Sequence, residues 1–404
     1  MALKVKVGKI GLVDALKFKN LPATRDKVIE AAPAKEITAD FPINNNAKKL
    51  HPDCQKMVIT KIRDHGKAEA KTFFLKRADG EKAAYFRAGQ YLSIALNIKG
   101  SEITRPYSIS CSPSFTAEGM YTITVKKNQG GFAADYILKN WKEGTEVTVS
   151  EPLGSFFYEP LRDAKNVVAL AGGSGITPFL SMAYAIRDGI EDFCLTVLFG
   201  SRTKDSILLG KELANVAAAA NGRVKIVNVL SEEEADGFEH GFITADLIKK
   251  YAPDGEYSVF ICGPEAMYRF LVPEIAKLGL EAKYVRRELL GVTKDVSGCE
   301  GYPPKTKTKK FALTVRQGEN IYETTAKASE PLLVAIERAG IAAPSRCRSG
   351  ECGWCRSKLV SGEVFTPAEN EGRRYADKQN GYIHPCCAFP VSDIVIEVPG
   401  TYMK

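Results

Sequence analysis

No run of about 18 uninterrupted apolar residues occurs in this 404-residue chain, so a spanning helix is not expected. The opening MALKVKVGKIGLVDALKFKN scatters lysines where a secretory leader needs an apolar block. These absences predict a cytoplasmic protein whose thiols stay reduced, which argues against a disulfide knot. Arginine-rich tracts interleaved with aromatics are also missing, and with them the footprint of a nucleic-acid binder. No segment repeats at a solenoid period. Histidine is scarce, with four in the chain, and His384 has no paired histidine nearby. Zinc, which draws on paired C-x2-C knuckles or on histidines, is therefore disfavoured.

The length allows two or three domains, and a 45% hydrophobic content supplies their cores without disulfide staples. The net charge is +8, but eleven basic residues balance eleven acidic ones from Phe311 onward. The excess therefore lies in residues 1–310. It suits anionic cofactors or an acidic protein partner, and a solvated lysine-rich surface is the plainer reading.

Residues 1–50 mix prolines, asparagines and charges with little periodicity, and read as an irregular extension without nameable chemistry. Residues 51–160 hold short β-branched or aromatic runs, among them KMVITKI, KTFFLKR, YLSIALNI and YTITVKK. They predict an antiparallel β-barrel. Over 161–290 the rhythm becomes strand then helix, as in NVVALAGG followed by TPFLSMAYAIRDG. That alternation predicts an α/β, doubly wound parallel sheet. Residues 291–310 are rich in Gly, Pro and Lys and read as a linker. In 311–404 a hairpin, a helix (PLLVAIERAG) and a closing strand (DIVIEV) suggest a small α+β domain.

The segment RCRSGECGWC places three cysteines in ten residues. From Cys347 the spacing is C-x4-C-x2-C, with further cysteines about thirty residues on. This is the plant-type spacing for a [2Fe–2S] cluster. Gly350 and Gly353 give the loop freedom to bring backbone amides toward sulfur. Cys54, Cys111, Cys194 and Cys299 belong to no spaced cluster.

Over 311–404, CRSGECGWCRSKLVSGEV and PCCAFPVSDIVIEV resemble the plant-type ferredoxins, which implies a ferredoxin-like, β-grasp-type fold and a [2Fe–2S] cluster. The last loop departs from the family in carrying two adjacent cysteines. The family's C-x-x-aromatic-Pro pattern, met here by Phe389-Pro390, implies Cys386 as the fourth ligand beside Cys347, Cys352 and Cys355.

RPYSIS, residues 105–110, ends a barrel strand. Tyr107 offers a flat ring, Ser108 a donor and Arg105 a cation, and Arg105 and Tyr107 fall on alternate positions of one face. Downstream, VKKNQGGFAADYI leads a lysine strand into Gly130-Gly131 and a helix, a natural phosphate site. AGGSGITPF follows an apolar strand, and CGPEAM follows another. Together these stretches resemble the ferredoxin–NADP reductase superfamily over about residues 54–290. The resemblance implies FAD, with FMN as the variant, held by Arg105, Pro106, Tyr107, Ser108, Lys126, Gly130 and Gly131. Ser110 of the RxYSxxS motif favours FAD, whereas Ala134 stands where the family's glycine loop carries Ser or Thr. The resemblance also implies NADPH or NADH on Gly172, Gly173, Gly175 and Thr177, with Cys262, Gly263, Pro264 and Met267 beside the nicotinamide. Ser201 and Arg202 fall at the adenosine end, where an acid would favour NADH and Arg202 tilts toward NADPH. Glu288, in RRELLG, matches the family's carboxylate; a surface ion pair with a neighbouring arginine is its plain alternative. Catalytic roles are thereby expected for Ser108, Cys262 and Glu288.

The three segments in this order imply an NAD(P)H-dependent oxidoreductase. Hydride goes to flavin, and single electrons go to the cluster and then to a protein acceptor such as an oxygenase, a flavodoxin or another metalloenzyme. The alternatives are an electron-transfer subunit without its own NAD(P)H turnover, and a redox-sensing binding protein.

Overall fold

The computed structural model describes residues 11–32, 41–128, 130–288, 291 and 295–400. Residues 1–47 and 48–404 are separate units. The described part of the N-terminal extension is helical, not irregular: α1 spans Leu12–Ala31 and α2 Pro42–Leu50. Leu, Ala and Lys supply helix propensity, but α1 runs through Pro22 and gathers its apolar residues on no single face. Such a helix leaves no period to read.

The barrel strands are β1 (Gln55–Asp64), β2 (Ala70–Arg77), β3 (Tyr91–Ile98), β4 (Ser101–Ser108), β5 (Met120–Lys126) and, after helix α3 (Phe132–Asn140), β6 (Glu146–Val149). They pair in the order β4-β3-β6-β1-β2-β5. The two edges meet through an antiparallel bridge between Ile109 and Ile123, which closes the barrel as expected. Alternation puts Met57, Ile59, Phe73, Leu75, Leu92 and Ile94 wholly inside. Trp141, just after α3, packs edge-on against Phe73 at 5.3 Å.

The second sheet contains β7 (Asn166–Gly172), β8 (Cys194–Ser201), β9 (Val224–Leu230), β10 (Glu239–His240), β11 (Ser258–Cys262) and β12 (Val285–Glu288). The crossover helices are α4 (Thr177–Arg187), α5 (Gly210–Ala219), α6 (Ala245–Tyr251) and α7 (Glu265–Ala276). The strand order β10-β9-β8-β7-β11-β12 is parallel throughout. Its order reverses between β7 and β11, and the crevice at such a switch point is where doubly wound sheets bind ligands.

The third sheet is mixed, in the order β14-β13-β19-β15-β17. Its members are β13 (Lys310–Gln317), β14 (Asn320–Lys327), β15 (Ser357–Ser361), β17 (Tyr382–Ile383) and β19 (Ile394–Glu397), with β16 (Val364–Phe365) and β18 (Phe389–Pro390) paired separately. Helix α8 (Leu332–Arg338) packs beneath it, and α9 (Tyr375–Gln379) is a short turn. The segment expected to be a linker is in its described part docked here. Val296 and Tyr302 are buried with Phe389, and the Tyr302 hydroxyl donates to the Ala328 carbonyl. Gly, Pro and Lys content marks irregular backbone, which these two anchors hold in place.

A buried ion pair braces the cysteine loop from behind. Arg348 donates two parallel bonds, of 2.5 and 2.9 Å, to Glu337 of α8. It holds Arg348 at φ +60°, a left-handed conformation rare for a bulky residue.

Candidate functional site

Strand β4 presents the RPYS segment in register with β3. Ile94 faces Arg105, Leu92 faces Tyr107 and Tyr91 faces Ser108. Arg105 donates to the neutral Thr104 carbonyl at 2.7 Å and has no carboxylate within ion-pair distance among the described residues. Burial, aided by Arg348, pulls its pKa down to about 10. An under-neutralised cation of this kind fits a flavin phosphate. Burial raises the Tyr107 phenol to about 12. Ser108 is buried, and its hydroxyl has no protein partner among the described residues. Counted from Arg105, the seventh position of RxYSxxS is Cys111, not Ser110. The Ser110 hydroxyl is bound to Thr122 Oγ1 at 2.9 Å and lies 3.3 Å from Thr124 Oγ1, so it does not speak for FAD over FMN. Gly131 caps α3, and Ala134 is buried in the first turn.

The crevice between β7 and β11 depends on glycine. A Cβ on Gly175 would lie 2.1 Å from the Cys262 carbonyl oxygen. Only a bare backbone lets the turn after β7 meet the end of β11. Gly172 and Gly263 both face the Met267 sulfur, and Pro264 caps α7. Thr177 opens α4 and donates to the Ser174 carbonyl at 2.9 Å. The half-buried Lys126 amine lies 3.8 Å from where a Gly173 Cβ would sit. Burial lowers its pKa, with Arg202 adding to the effect. Arg105 and Lys126, with no carboxylate within ion-pair distance among the described residues, fit phosphate groups.

Ser201 ends β8 with its hydroxyl buried and unpartnered among the described residues, a fit for a ribose hydroxyl. Arg202 follows, and its Nε lies 3.5 Å from Glu232 Oε1. The acid missing from the segment after β8 is thus supplied by the segment after β9.

Cys262 and Glu288 are register neighbours at the ends of β11 and β12. Burial pushes the Glu288 carboxyl well above its ordinary value, and Glu351 adds to it. Arg286, two residues earlier, pairs instead with Asp163 at 3.0 Å. A surface ion pair for Glu288 is therefore set aside: the residue is buried, and burial favours its neutral form.

In the cysteine loop the backbone amides of Ser349 and Cys352 each donate to the Cys347 sulfur at 3.4 Å. The Trp354 amide donates to the Cys352 sulfur at 3.4 Å. Cys352 and Cys386 both influence the Cys347 thiol, the first lowering and the second raising its pKa. Arg348 senses Cys355 and Cys386 together. The Cys387 thiol lies 3.4 Å from each of the Asn370 and His384 carbonyls, to which its single S–H can donate, and packs against Gly350 of the loop. Ser349 Oγ is buried and unpartnered among the described residues. Buried thiols in one loop, amides aimed at sulfur and an orphaned hydroxyl fit a [2Fe–2S] cluster. Among the described residues no three ligating side chains close on one point, as a single ion requires. A [2Fe–2S] cluster instead spreads four thiolates over two irons. Gly350 permits the turn: its φ is +88°, and a Cβ there would strike the Asn370 carbonyl at 2.1 Å.

Tyr91 joins the sites. It lies opposite Ser108, is 3% exposed, and burial raises its phenol pKa, with Cys347, Cys352, Glu288 and Glu351 adding to the effect. Neither Tyr91, Glu351 nor Glu232 was expected from the sequence. The pairing of YLSIALNI with RPYS would have indicated Tyr91; the others are brought in by tertiary folding alone.

The chain matches the Oxidoreductase FAD-binding domain family over residues 63–158, the Oxidoreductase NAD-binding domain family over 169–272 and the 2Fe-2S iron-sulfur cluster binding domain family over 316–391. This protein belongs to the ferredoxin–NADP reductase superfamily, fused to a C-terminal plant-type [2Fe–2S] ferredoxin domain. The reductase uses FAD, NAD(P)H and a [2Fe–2S] cluster, and transfers electrons from NAD(P)H through flavin to the cluster. It is 28% identical over 337 residues to the glycine betaine monooxygenase reductase subunit of Chromohalobacter salexigens, covering 80% of this chain and 90% of that one. It is 28% identical over 334 residues to a component of the 1,2-phenylacetyl-CoA epoxidase of Escherichia coli, covering 78% and 90%. The structure of phthalate dioxygenase reductase superposes with a TM-score of 0.62 at 23% identity, covering 85% of this chain and 98% of that one, a likeness of fold. Among the described residues no helix is long and apolar enough to cross a membrane.

Glu288 and Arg202 each yield a test. The native state holds the Glu288 proton at pH values where the unfolded chain has released it, above about 4.5. More protons bound by the native state means stability that falls as pH rises. Glu288→Gln should therefore melt higher than the parent, by a margin that grows as pH rises above about 4.5. A margin independent of pH would contradict the neutral acid. Glu232 is placed to compete with an anionic ligand for Arg202. Exposed ion pairs are weak, so Glu232→Gln should raise the NADPH-to-NADH ratio of kcat/KM only about two- to fivefold. An unchanged ratio removes Glu232 from coenzyme choice.

Proposed function

We propose that the reductase works in the cytoplasm and delivers its electrons to a separate oxygenase-type protein. Tyr91 is the observation that carries the reading. Its backbone pairs with the flavin segment at Ser108, and Cys347, Cys352 and Glu288 act electrostatically on its hydroxyl. Hydrogen bonds from Thr104 and Ser93 of the barrel to Ser345 and Arg346, just before and beside the first cysteine, support bringing the flavin and cluster regions together. The relatives named as parts of a monooxygenase and an epoxidase support the acceptor class.

In this reading residues 51–160 carry flavin, 161–290 the coenzyme and 311–404 the cluster. Arg105 neutralises a flavin phosphate, Tyr107 covers the ring beside Pro106, and Ser108 offers its hydroxyl at N5. Lys126, Gly130 and Gly131 hold the flavin pyrophosphate at the α3 N-terminus. Gly172, Gly173, Gly175 and Thr177 take the coenzyme pyrophosphate, and Ser201 and Arg202 take the adenosine end. Cys262, Gly263, Pro264 and Met267 border the nicotinamide and keep water out, and Glu288 holds its proton there. The flavin supplies the change from two-electron to one-electron chemistry. Cys347, Cys352, Cys355 and Cys386 ligate the cluster. Cys352 is solvent-exposed, which opens that edge to a partner.

The test separates the paired cysteines. Cys386→Ala should lose the cluster EPR signal and the reduction of a protein acceptor such as cytochrome c by at least tenfold, while NAD(P)H still bleaches the flavin. Cys387→Ala should keep both. An intact cluster spectrum in Cys386→Ala overturns the ligand assignment.

A further inference from the structure

The residues just before the first cysteine of the cluster loop are gripped by three neighbouring barrel strands. From β4, the Thr104 hydroxyl donates to the Ser345 carbonyl at 2.9 Å and lies 2.6 Å from Ser345 Oγ. From β3, the Ser93 hydroxyl donates to the Arg346 carbonyl at 3.4 Å. Just past the end of β6, Glu151 Oε1 accepts from Arg346 Nη1 at 3.3 Å, and its other oxygen faces His51 at 3.3 Å. These strands are adjacent in the order β4-β3-β6. The Arg346 guanidinium then lies over the Trp354 ring, 3.6 Å from its centroid. Trp354 stands between Cys352 and Cys355, so one stack spans the loop from before its first cysteine to its third.

The Arg346 side chain is 6% exposed, and its Nε is buried with no hydrogen-bond partner among the described residues. A buried guanidinium that gives up a hydrogen bond is held by something else. Here the indole face and one carboxylate hold it. The cation is not needed to neutralise Glu337, which Arg348 already pairs. Nor does Arg346 lie on the RPYS, AGGSGITP or CGPEAM segments. Among the described residues its side chain pairs with Glu151 at the barrel wall and stacks on Trp354 of the cysteine loop.

We infer that Arg346, clamped between Glu151 and Trp354, is a positioning residue that sets the distance and orientation between the flavin segment and the cluster loop, and so the rate of flavin-to-cluster electron transfer. The inference rests on the ligand assignment proposed above. It involves no bond making: one electron leaves reduced flavin and one arrives at the cluster, with the clamp neutral to both.

The experiment is anaerobic stopped flow on the holoprotein, with NADH or NADPH in excess, for Glu151→Gln, Trp354→Ala and Trp354→Phe. Flavin reduction by coenzyme should match the parent in all three. Cluster reduction should slow at least tenfold in Glu151→Gln and Trp354→Ala, and should recover most of its rate in Trp354→Phe, which restores an aromatic face. Iron content and the EPR spectrum of the chemically reduced cluster should be unchanged. Hydrogen–deuterium exchange over residues 345–356 should rise in the two slow variants, a readout independent of turnover. Parent-like cluster reduction in both Glu151→Gln and Trp354→Ala overturns the inference, as does slowing that Trp354→Phe fails to relieve. Glu151 is outside the loop, so the test survives a Trp354 variant that fails to assemble its cluster. Failure of the underlying ligand reading looks different: a Cys386→Ala protein that retains its cluster.

Discussion

Every electron-transfer step in this chain depends on cofactors held close together, and the contact that enforces this is the grip of β4, β3 and β6 on Ser345 and Arg346. The cysteine loop is not a tethered domain facing the barrel across solvent. It forms part of the wall beside RPYS, with Tyr91 at the seam. Stacking a buried guanidinium on an indole is worth about 2 kcal/mol when both are desolvated. That is small against the cost of ordering a loop but large enough to choose one arrangement of it. Behind the loop, the Arg348–Glu337 pair fixes a strained left-handed turn. Breaking a buried pair of that kind costs about 3–5 kcal/mol, because the remaining charge is stranded.

The coenzyme crevice follows a different logic. There the backbone of one turn must meet the end of another strand, and the absence of side chains at Gly172, Gly175 and Gly263 makes the approach possible. The same closeness dries the site. Cys262 and Glu288 end adjacent parallel strands, and burial keeps both in their neutral forms. Arg105 and Lys126 are cations whose pKa values burial lowers, and a bound phosphate would offset that cost.

Local chemistry was legible in the sequence and long-range neighbours were not. The C-x4-C-x2-C spacing, the RPYS strand and the two glycine turns each lie within about ten residues, and the structure sets them at one seam. The choice between Cys386 and Cys387 was legible only through the family's aromatic-proline pair, because both thiols are buried in the same loop. The helical N-terminal segment went unread because α1 has no apolar face, and amphipathic period is what betrays a helix. Composition misled at 296–306, where Val296 and Tyr302 anchor a segment that looks like linker. Glu232 beside Arg202 and Glu151 beside Arg346 are pairings across strand ends, separated by 30 and 195 residues, which no local pattern announces. The expected tilt to NADPH loses force for the same reason.

The central claim is that electrons reach the cluster only by way of flavin. The direct measurement uses anaerobic protein stripped of flavin with its cluster intact, mixed with NADH or NADPH and followed by EPR before and after FAD is added back. The cluster should stay oxidised without FAD and become reduced once FAD is restored. A cluster reduced by coenzyme in flavin-free protein, or one still oxidised after FAD is restored, would contradict the account.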